Sequence, residues 1–404
     1  MLKLAARNLY RQVTHSLMTL IAIMSGVISI IIVSGWINDI FVQLGEALIQ
    51  SQTGHIQVYK RGYYELGTRF PEKYLIPSPD HIKQVMSGTP ITGKIMGRLY
   101  FSGLLNNGHN DFPITGEGIE PELESASFGN YVQIVSGRML TDNDQFGIML
   151  GQGIASMLGL TPDDHVTILT NTLDGTLNSL DFKVIGIFQS YSNDYDARAV
   201  KIPLTAAQML INSEGINVIV VSLTNTKQTA TMATLLKSQL SGLDLDLRTW
   251  QELSDYYEKT VLLYESQFKI LQWIILIMVT LSVFNSVSMS IFERVGEFGT
   301  MMALGNRSSQ VYQLIISENL ILGLVGSIVG VGLALLLAFI ISAIGVPMPP
   351  PPNASVGYIA QIQIIPFDIL IAVVIGLGAT LLATIYPARK VTQIKIVDAL
   401  RQNY

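Results

Sequence analysis

The sequence predicts an α-helical membrane protein with four transmembrane helices and a large α+β extracytoplasmic domain inserted between helices 1 and 2. Only 14% of its 404 residues are charged and the mean hydropathy is +0.41, whereas soluble proteins carry about 25% charged residues. Four uncharged runs each have the length that spans a bilayer. Between the first two runs lies a stretch of ordinary globular composition, residues 39–267.

Residues 1–15 predict a cytoplasmic amphipathic helix, because Lys3, Arg7 and Arg11 lie four residues apart and would share one face at the membrane surface. Residues 16–38 follow without a charge. At about 1.5 Å per residue they extend about 34 Å, enough for a hydrocarbon core of about 30 Å. We expect this first span to stay uncleaved, because it is too long for a signal-peptide core and no small-x-small site closes it.

Residues 39–267 predict an extracytoplasmic (periplasmic) α+β domain of one or two lobes, with stalk helices at both ends. Alternating apolar residues indicate strands, and helical periodicity separates them. The predicted strands are 56–59, 94–105, 165–170, 182–188 and 217–223, and the predicted helices are 79–86, 205–210 and 229–240. Asp174-Gly175 between two strand runs predicts a hairpin turn.

The second span is expected at residues 268–292, at the end of one continuous helix. Thr249 and Glu252 have capping-box spacing, which predicts that this helix starts at Trp250. Its apolar residues recur at intervals of three and four, which indicates a seam against the first helix near Phe41. The seam residues are Tyr257, Val261, Tyr264, Phe268 and Leu271.

Residues 293–318 predict a cytoplasmic elbow in which a short amphipathic helix ends at Gly305. Its predicted apolar side consists of Phe292, Val295, Phe298, Met302 and Leu304. Glu318 stands at the mouth of the third span, where a carboxylate is costly unless it is wetted or paired. We expect it to pair with a basic residue such as Arg7 or Arg294, and a role in transmitting motion is the alternative.

The remaining segments complete the predicted topology. They are a third span at 319–346, an extracytoplasmic Pro-rich loop at 347–368, a fourth span at 369–386 that stops at Pro387, and a cytoplasmic tail at 387–404. Glycines in the third span predict close helix packing in lipid. The three that we assign to this packing are Gly323, Gly326 and Gly330.

Charge distribution sets the expected orientation. The first fifteen residues hold three basic and no acidic groups, and the tail after Pro387 holds four basic and one acidic group. Residues 39–267 hold 15 basic and 25 acidic groups. Because basic flanks are retained on the cytoplasmic side, both termini are expected in the cytoplasm.

Little in the sequence indicates a catalytic, metal-binding or nucleotide-binding site. The chain has no cysteine and its five histidines are dispersed, so we predict no metal site. Residues 88–95 approach a phosphate-binding loop but place Ile95 where a hydroxyl is needed. No set of nucleophile, base and orienting group can be assembled. We therefore expect no catalytic residue in this chain and no nucleic-acid partner.

Three short motifs bracket the chain. The elbow contains Glu293-Arg294-x-x-Glu297-x-Gly299 followed by Ala303-Leu304-Gly305. The other two are Ala6-Arg7-Asn8-Leu9-Tyr10-Arg11 near the start and Tyr386-Pro387-Ala388-Arg389-Lys390 with Asp398-Ala399-Leu400-Arg401 near the end. In this order around four spans, they resemble the motifs of FtsX-like ABC-transporter permeases of the mechanotransmission type. Length and insert most resemble the lipoprotein-releasing permeases.

The resemblance implies a multi-pass permease of the bacterial inner membrane. ATP and Mg²⁺ would be bound by a partner dimer of ABC ATPase subunits, and this chain itself would hold no cofactor. Other implied partners are membrane lipids, a second permease copy or paralogue, and a periplasmic lipoprotein carrier or adaptor. The ATPase-coupling residues would be Glu293, Arg294, Glu297, Gly299, Ala303, Leu304 and Gly305.

The implied function is ATP-driven release of lipoproteins from the membrane. Two alternatives stay open: an exporter of peptides, toxins or drugs, and a relay that transports nothing and regulates a cell-wall hydrolase or senses peptides. For a lipid-anchored substrate, depth in the bilayer predicts entry between the first two helices. The predicted substrate-facing residues are Ile30, Ile31, Val33 and Ser34 on the first helix and Ile274, Met278 and Leu281 on the second.

Overall fold

The computed structural model describes residues 13–67, 74–88, 92–129, 132–190, 192–349, 357–394 and Ala399. Residues 1–12, which hold most of the predicted N-terminal helix, lie outside the described part of the chain, as do most of the proline run and most of the terminal Asp398–Arg401 motif. The chain divides into two compact units. One comprises Met1–Phe41, Thr260–Pro347 and Ile359–Tyr404, and the other comprises Val42–Lys259 and Met348–Tyr358.

Long helices flank a segment in which short helices and strands alternate. The helices are α1 (Val13–Leu48, continued by a π-helical turn at Ile49–Thr53), α2 (Tyr63–Leu66), α3 (Pro79–Ser87), α4 (Pro121–Phe128), α5 (Gln152–Leu158), α6 (Asn193–Asp196), α7 (Leu204–Ile211), α8 (Thr229–Gln239), α9 (Trp250–Leu253), α10 (Asp255–Glu293), α11 (Val295–Ala303), α12 (Ser308–Ile344) and α13 (Pro366–Thr392). The strands are β1 (Ile56–Lys60), β2 (Gly93–Asn106), β3 (Asp111–Ile119), β4 (Gln133–Gly137), β5 (Gly147–Gly151), β6 (His165–Asn171), β7 (Leu177–Gln189), β8 (Ala199–Pro203), β9 (Val218–Leu223), β10 (Leu245–Thr249), β11 (Val346–Met348) and β12 (Tyr358–Ala360).

Four helices of the described chain are long and apolar enough to cross a membrane. They cover Ser16–Thr53, Tyr257–Glu293, Ser308–Ile344 and Pro366–Thr392. Helix α12 starts at Ser308 rather than at Asn319, so its first turns belong to the predicted elbow. Helix α10 is not continuous with Trp250, because the chain leaves the helical conformation at Ser254.

The fourth long helix does not stop at Pro387, contrary to the prediction. Helix α13 contains this proline and continues to Thr392. Proline removes one backbone hydrogen bond and crowds the carbonyl four residues earlier, which here belongs to the small residue Ala383. Ending the helix would leave more polar backbone groups unpaired in apolar surroundings, so continuation is favoured.

The α+β unit is built on ten strands in the order β10-β1-β9-β2-β3-β8-β5-β7-β4, with β6 pairing both β2 and β7. The pairing through β6 closes a ring of strands, β2-β3-β8-β5-β7-β6. The long strand β2 belongs to both parts of the sheet, since residues 93–98 pair with β9 and residues 99–106 pair with β3. The two lobes that the sequence suggested therefore share one strand.

Each lobe has its own apolar core. In the ring, Leu99, Ile148 and Phe182 are almost wholly buried, with α7 contributing Leu210. In the other lobe, Ile56, Val221 and Leu236 form the centre of a separate cluster. The hairpin between β6 and β7 turns at Gly175, whose φ of +80° requires the conformational freedom of glycine.

In the helical unit, α1 and α10 pack antiparallel. Thr19 Oγ1 and Ser286 Oγ lie 2.7 Å apart, and the rings of Phe41 and Tyr264 are 6.1 Å apart near the other end. Between these pairs, a Cβ on Gly26 would lie 2.4 Å from Val279 Cγ2, so the helices touch closely there.

Glycines of α12 lie against two other helices. A Cβ on Gly326 or Gly330 would lie 3.1 Å from Ile23 or Val27 of α1, respectively. A Cβ on Gly323 would lie 3.2 Å from Thr380 Oγ1 of α13. Small residues thus occupy the positions where α12 meets α1 and α13, as close packing in lipid requires.

Candidate functional site

The elbow is organised by Arg294, which occupies the junction between α10 and α11. Its guanidinium donates from Nη1 to Glu318 Oε2 at 2.7 Å and from Nη2 to Oε1 at 3.4 Å. Its Nε donates to Glu297 Oε2 at 3.2 Å. The Cζ atom also lies 4.9 Å from the centre of the Phe298 ring. One buried arginine therefore links the start of α11 to α12, and the predicted pairing of Glu318 with Arg294 is found.

Helix α11 is held by an apolar face. Val295, Phe298 and Met302 are almost wholly buried, and they recur at the three- and four-residue spacing of one helical face. The predicted face also included Phe292 and Leu304, which are 45% and 82% exposed. Leu304 does not share the face because it lies beyond the last helical residue, and Phe292 belongs to α10.

The chain leaves α11 in an exposed turn, Ala303–Arg307, which we call the tip. Asn306 N–H donates to Met301 O at 3.1 Å, and Gly305 N–H donates to Met302 O at 3.1 Å. Gly305 has a φ of +98°, a left-handed conformation that favours glycine. The closed turn presents the Leu304 side chain outward.

The predicted coupling residues therefore separate into two groups. Arg294 and Gly299 are buried, and Glu297 is partly covered beside Arg294. Glu293, Ala303, Leu304 and Gly305 are exposed. The motif thus contains an internal clamp, formed by Arg294, Glu297 and Glu318, and the external tip.

The C-terminal motif lies beside the end of α10. The ring of Tyr386 is 6.1 Å from that of Phe284, and Lys390 Nζ lies 5.6 Å from the centre of the Phe292 ring. Ala388, between these two residues in sequence, is fully buried. The elbow and the end of the fourth span are therefore both joined to α10.

The structure does not bring the predicted substrate-facing residues together. Ile30, Ile31 and Ser34 are buried in the helical unit, and Val33 is partly buried. Ile274, Met278 and Leu281 are exposed, because the side of α10 that meets α1 consists of Val279, Val283 and neighbouring buried residues. These residues were chosen by depth in the bilayer alone, which carries no information about the rotation of each helix.

Two acidic residues next to the spans, Asp39 and Asp368, were missed by sequence reasoning. Asp39 is fully buried and accepts from Gln361 N–H at 2.9 Å and from Gln363 Nε2 at 3.1 Å. The Ser34 hydroxyl donates to Asp368. The sequence did carry a signal for both residues: Asp39 directly follows the first uncharged run, and Asp368 directly precedes the fourth. These contacts attach the segment before α13 to α1.

Among the described residues, no group of three or more His, Asp or Glu side chains could hold a metal ion. The elbow thus combines an exposed tip that presents Leu304 with a buried ion pair between Arg294 and Glu318.

Comparison with known proteins matches two family models. The FtsX-like permease C-terminal model covers residues 270–396. The MacB-like periplasmic core domain model covers residues 16–239, which is more than half of the chain.

Three relatives extend this comparison. An uncharacterized ABC transporter permease of Methanocaldococcus jannaschii is 24% identical, over 98% of this chain and 96% of that protein. The lipoprotein-releasing system transmembrane protein LolC of Xylella fastidiosa is 22% identical, over 64% of this chain and 65% of LolC. The macrolide export ATP-binding/permease protein MacB of Hyphomonas neptunium is 26% identical, over 73% of this chain but only 44% of MacB. The chain belongs to the family of FtsX-like ABC-transporter permeases with a MacB-like periplasmic core domain.

Proposed function

We propose that this chain couples ATP hydrolysis by a separate ABC ATPase subunit to conformational change in its α+β domain. The observation that carries the proposal is that the clamp ties the start of α11 to α12, while the exposed tip with Leu304 joins the end of α11 to the start of α12. Arg294 is held by two hydrogen-bonded carboxylates, so α11 and α12 are fixed to each other and move as one body. Leu304 at the tip would dock into a groove on the ATPase subunit. That subunit, rather than this chain, would bind ATP and Mg²⁺.

A substitution at the tip tests this role. Leu304→Glu replaces an 82% exposed leucine with a charge that an apolar groove would have to desolvate. Burying a leucine contributes about 1.5–3 kcal/mol, so we expect the affinity for the ATPase to fall at least ~10-fold. Leu177→Glu, a 71% exposed leucine of the α+β unit, is the matched control and should leave binding unchanged. Normal ATPase binding by Leu304→Glu, measured by co-purification and by hydrolysis, would show that the tip is not the contact.

The proposal places both termini in the cytoplasm of a bacterium and the α+β domain outside the inner membrane. Because the chain has no cysteine, single reporters are specific. His109→Cys lies in an exposed turn and should react with an impermeant thiol reagent in cells with a permeabilised outer membrane. Asn403→Cys should react only after the inner membrane is opened. Reaction of Asn403→Cys in intact inner membranes would contradict this topology.

For the cargo, we infer a lipid-anchored protein, delivered to a periplasmic carrier. Similarity to LolC supports this inference. So does the wide apolar face of α10, which exposes Ile270, Trp273, Ile277 and Leu281 on the part of the helix that follows the α+β domain. Such a face could contact the acyl chains of the cargo or a second permease copy. In the latter case, two permease chains would form the functional dimer.

An exporter of peptides, toxins or drugs, working with an adaptor, is the second candidate. It is favoured by the match of residues 16–239 to the MacB-like periplasmic core domain and by the identity with MacB.

Photo-crosslinking separates these candidates. A benzophenone amino acid in place of Met278, which is 62% exposed on the apolar face, should capture an acylated protein in cells. The same probe in place of the buried Val283 is the control and should capture none. Capture of soluble peptides or small apolar compounds would support export instead. Capture of no cargo, with normal ATPase coupling, would favour a relay that transports nothing.

A further inference from the structure

The α+β unit contains a cavity that the proposed coupling function does not use. It is a partly open cavity of about 730 Å³, within the range of about 300–1,000 Å³ that small-molecule sites occupy. Strand β2 forms one wall through Leu99–Ser102, and the end of β6 and the turn after it form another through Thr170–Leu173. Tyr63 and Ile211 contribute from α2 and α7.

The lining combines apolar surface with neutral polar groups. Tyr63, Phe101 and Ile211 supply rings and an aliphatic side chain, while Ser102 and Asn171 supply a hydroxyl and an amide. None of the described residues that line the cavity is charged. A charged ligand would gain no opposite charge from these residues to offset the hydration that it loses in the cavity. A neutral ligand avoids that cost.

The walls are fixed before any ligand binds. The Asn217 side chain holds the backbone of Tyr100 on both sides, accepting from its N–H at 2.9 Å and donating to its carbonyl at 2.9 Å. Thr170 Oγ1 donates to Ser102 O at 2.7 Å. A prearranged wall reduces the ordering entropy that binding costs, and it places the exposed Ser102 and Asn171 side chains at the cavity surface.

We propose that this cavity binds an uncharged, mainly apolar small molecule that carries a ring or rings and one or two hydroxyl or amide groups. Aromatic side chains favour ring contacts, and the hydroxyl and amide of the lining favour a small number of neutral hydrogen bonds. The proposal is independent of which cargo the permease moves.

The test uses the full chain in lipid nanodiscs and takes advantage of its lack of cysteine. Ser102→Cys places a thiol in the cavity wall, and its reaction rate with a charged maleimide is measured with and without N-phenyl-1-naphthylamine, an uncharged probe built of two linked ring systems. We expect the probe to slow the reaction at least ~5-fold. Ser238→Cys, at an exposed position of α8 outside the cavity, should react at the same rate with and without the probe, which excludes effects of probe dissolved in lipid.

The charged analogue 1-anilinonaphthalene-8-sulfonate has nearly the same ring system and tests the requirement for neutrality. It should not slow the reaction of the Ser102→Cys thiol. In the double variant Ser102→Cys with Thr115→Lys, where the lysine adds a cation to the lining, it should slow that reaction. Should the Ser102→Cys chain fail to fold, Asn171→Cys provides a second reporter in the same wall. Absence of protection by the uncharged probe at both positions, or equal protection by both probes without Thr115→Lys, would overturn the proposal.

Discussion

Arg294 and Glu318 lie in different segments of the elbow yet form a two-point ion pair, with nitrogen-oxygen distances of 2.7 and 3.4 Å. Both side chains are largely withdrawn from solvent, at 11% and 5% exposure. A buried pair of this kind contributes little net stability compared with an apolar pair, but the loss of one partner leaves an uncompensated charge. Its main effect is therefore to fix the position of α11 against α12.

We expect Glu318→Leu to destabilise the chain by at most about 3–5 kcal/mol, because the buried Arg294 guanidinium keeps only the 41% exposed Glu297 as its counter-charge. The double variant Arg294→Met with Glu318→Leu should recover most of this stability but should still lose coupled ATP hydrolysis, since the fixed geometry is gone. The midpoint of thermal unfolding in detergent and hydrolysis in the reconstituted complex measure the two effects. Glu297→Gln, at a position 41% exposed, should cost at most about 1 kcal/mol. Full coupling in the double variant would contradict the role assigned to the clamp.

Close contact between α1 and α10 gives a second prediction. A Cβ at Gly26 would lie 2.4 Å from Val279 Cγ2, so Gly26→Ala should destabilise the chain by about 1–3 kcal/mol through overpacking. Val279→Ala in the same chain should restore the unfolding midpoint. Gly332→Ala is the matched control, because a Cβ there meets no atom within 4 Å. An unchanged midpoint for Gly26→Ala would mean that the two helices are farther apart than the structure has them.

The long helices and five strands of the α+β unit, β1, β2, β6, β7 and β9, were predictable from the sequence, whereas β3, β4, β5, β8 and β10 were not. Strand β6 was expected nearly at its observed bounds because its apolar and polar residues alternate. Strands β5 and β8 escaped prediction. They pair in parallel with β7 and β3, and every residue of both is buried, so no alternation marks them. The equally buried strand β9 was predicted because its apolar run, Val218–Val221, consists of β-branched residues.

The candidate site was predictable in its location but not in its division of roles. A carboxylate at the mouth of a span is costly unless it is wetted or paired, which favoured a cationic partner for Glu318, and Arg294 is that partner. The sequence could not reveal that Arg294 is buried while Leu304 is exposed, since both belong to one short motif. That difference depends on where α11 ends and on which of its faces packs against the bundle.

The buried charges of the α+β unit provide a third prediction. Arg98 donates to Glu124 from Nη2 at 2.7 Å, and Lys201 Nζ donates to the same carboxylate at 3.0 Å. Burial raises the pKa of the Glu124 carboxyl, but Arg98 and Lys201 lower it more, so its pKa lies below the ordinary value of 4.5. The resulting stabilisation is complete above about pH 4.5 and is lost as the pH falls through the lowered pKa.

Glu124→Gln should therefore cost about 3–5 kcal/mol near pH 7, because two cations lose their shared counter-charge. The difference from the wild type should shrink as the pH approaches the lowered pKa, where the native carboxylate is protonated as well. Thermal unfolding at neutral and acidic pH measures both quantities. Glu122→Gln, an exposed position on the same helix, should change stability little at either pH. A pH-independent difference for Glu124→Gln would exclude ionisation as the cause.

The last prediction concerns His55, which is fully buried in the α+β unit. Its Nδ1 accepts from Leu223 N–H at 3.0 Å, so the proton of the neutral ring is on Nε2, which lies 3.0 Å from Thr226 Oγ1. The Thr226 hydroxyl in turn donates to Glu46. A second proton on Nδ1 would point at the Leu223 N–H and break this hydrogen bond. The geometry therefore requires a neutral imidazole.

Burial lowers the pKa of His55 below its ordinary value of 6.5, although the Glu46 carboxylate acts in the opposite direction. The unfolded chain therefore binds more protons than the folded chain below about pH 6.5. Stability from this residue is present above pH 6.5 and is lost as the pH falls through the lowered pKa. Between pH 7.5 and 5.5, the unfolding midpoint of the wild type should fall more than that of His55→Asn, whose amide oxygen still accepts from Leu223. His109→Asn, at an exposed turn, should keep the wild-type dependence. If His55→Asn also shows the wild-type pH dependence, the hydrogen-bonded chain from His55 through Thr226 to Glu46 does not govern stability in this pH range.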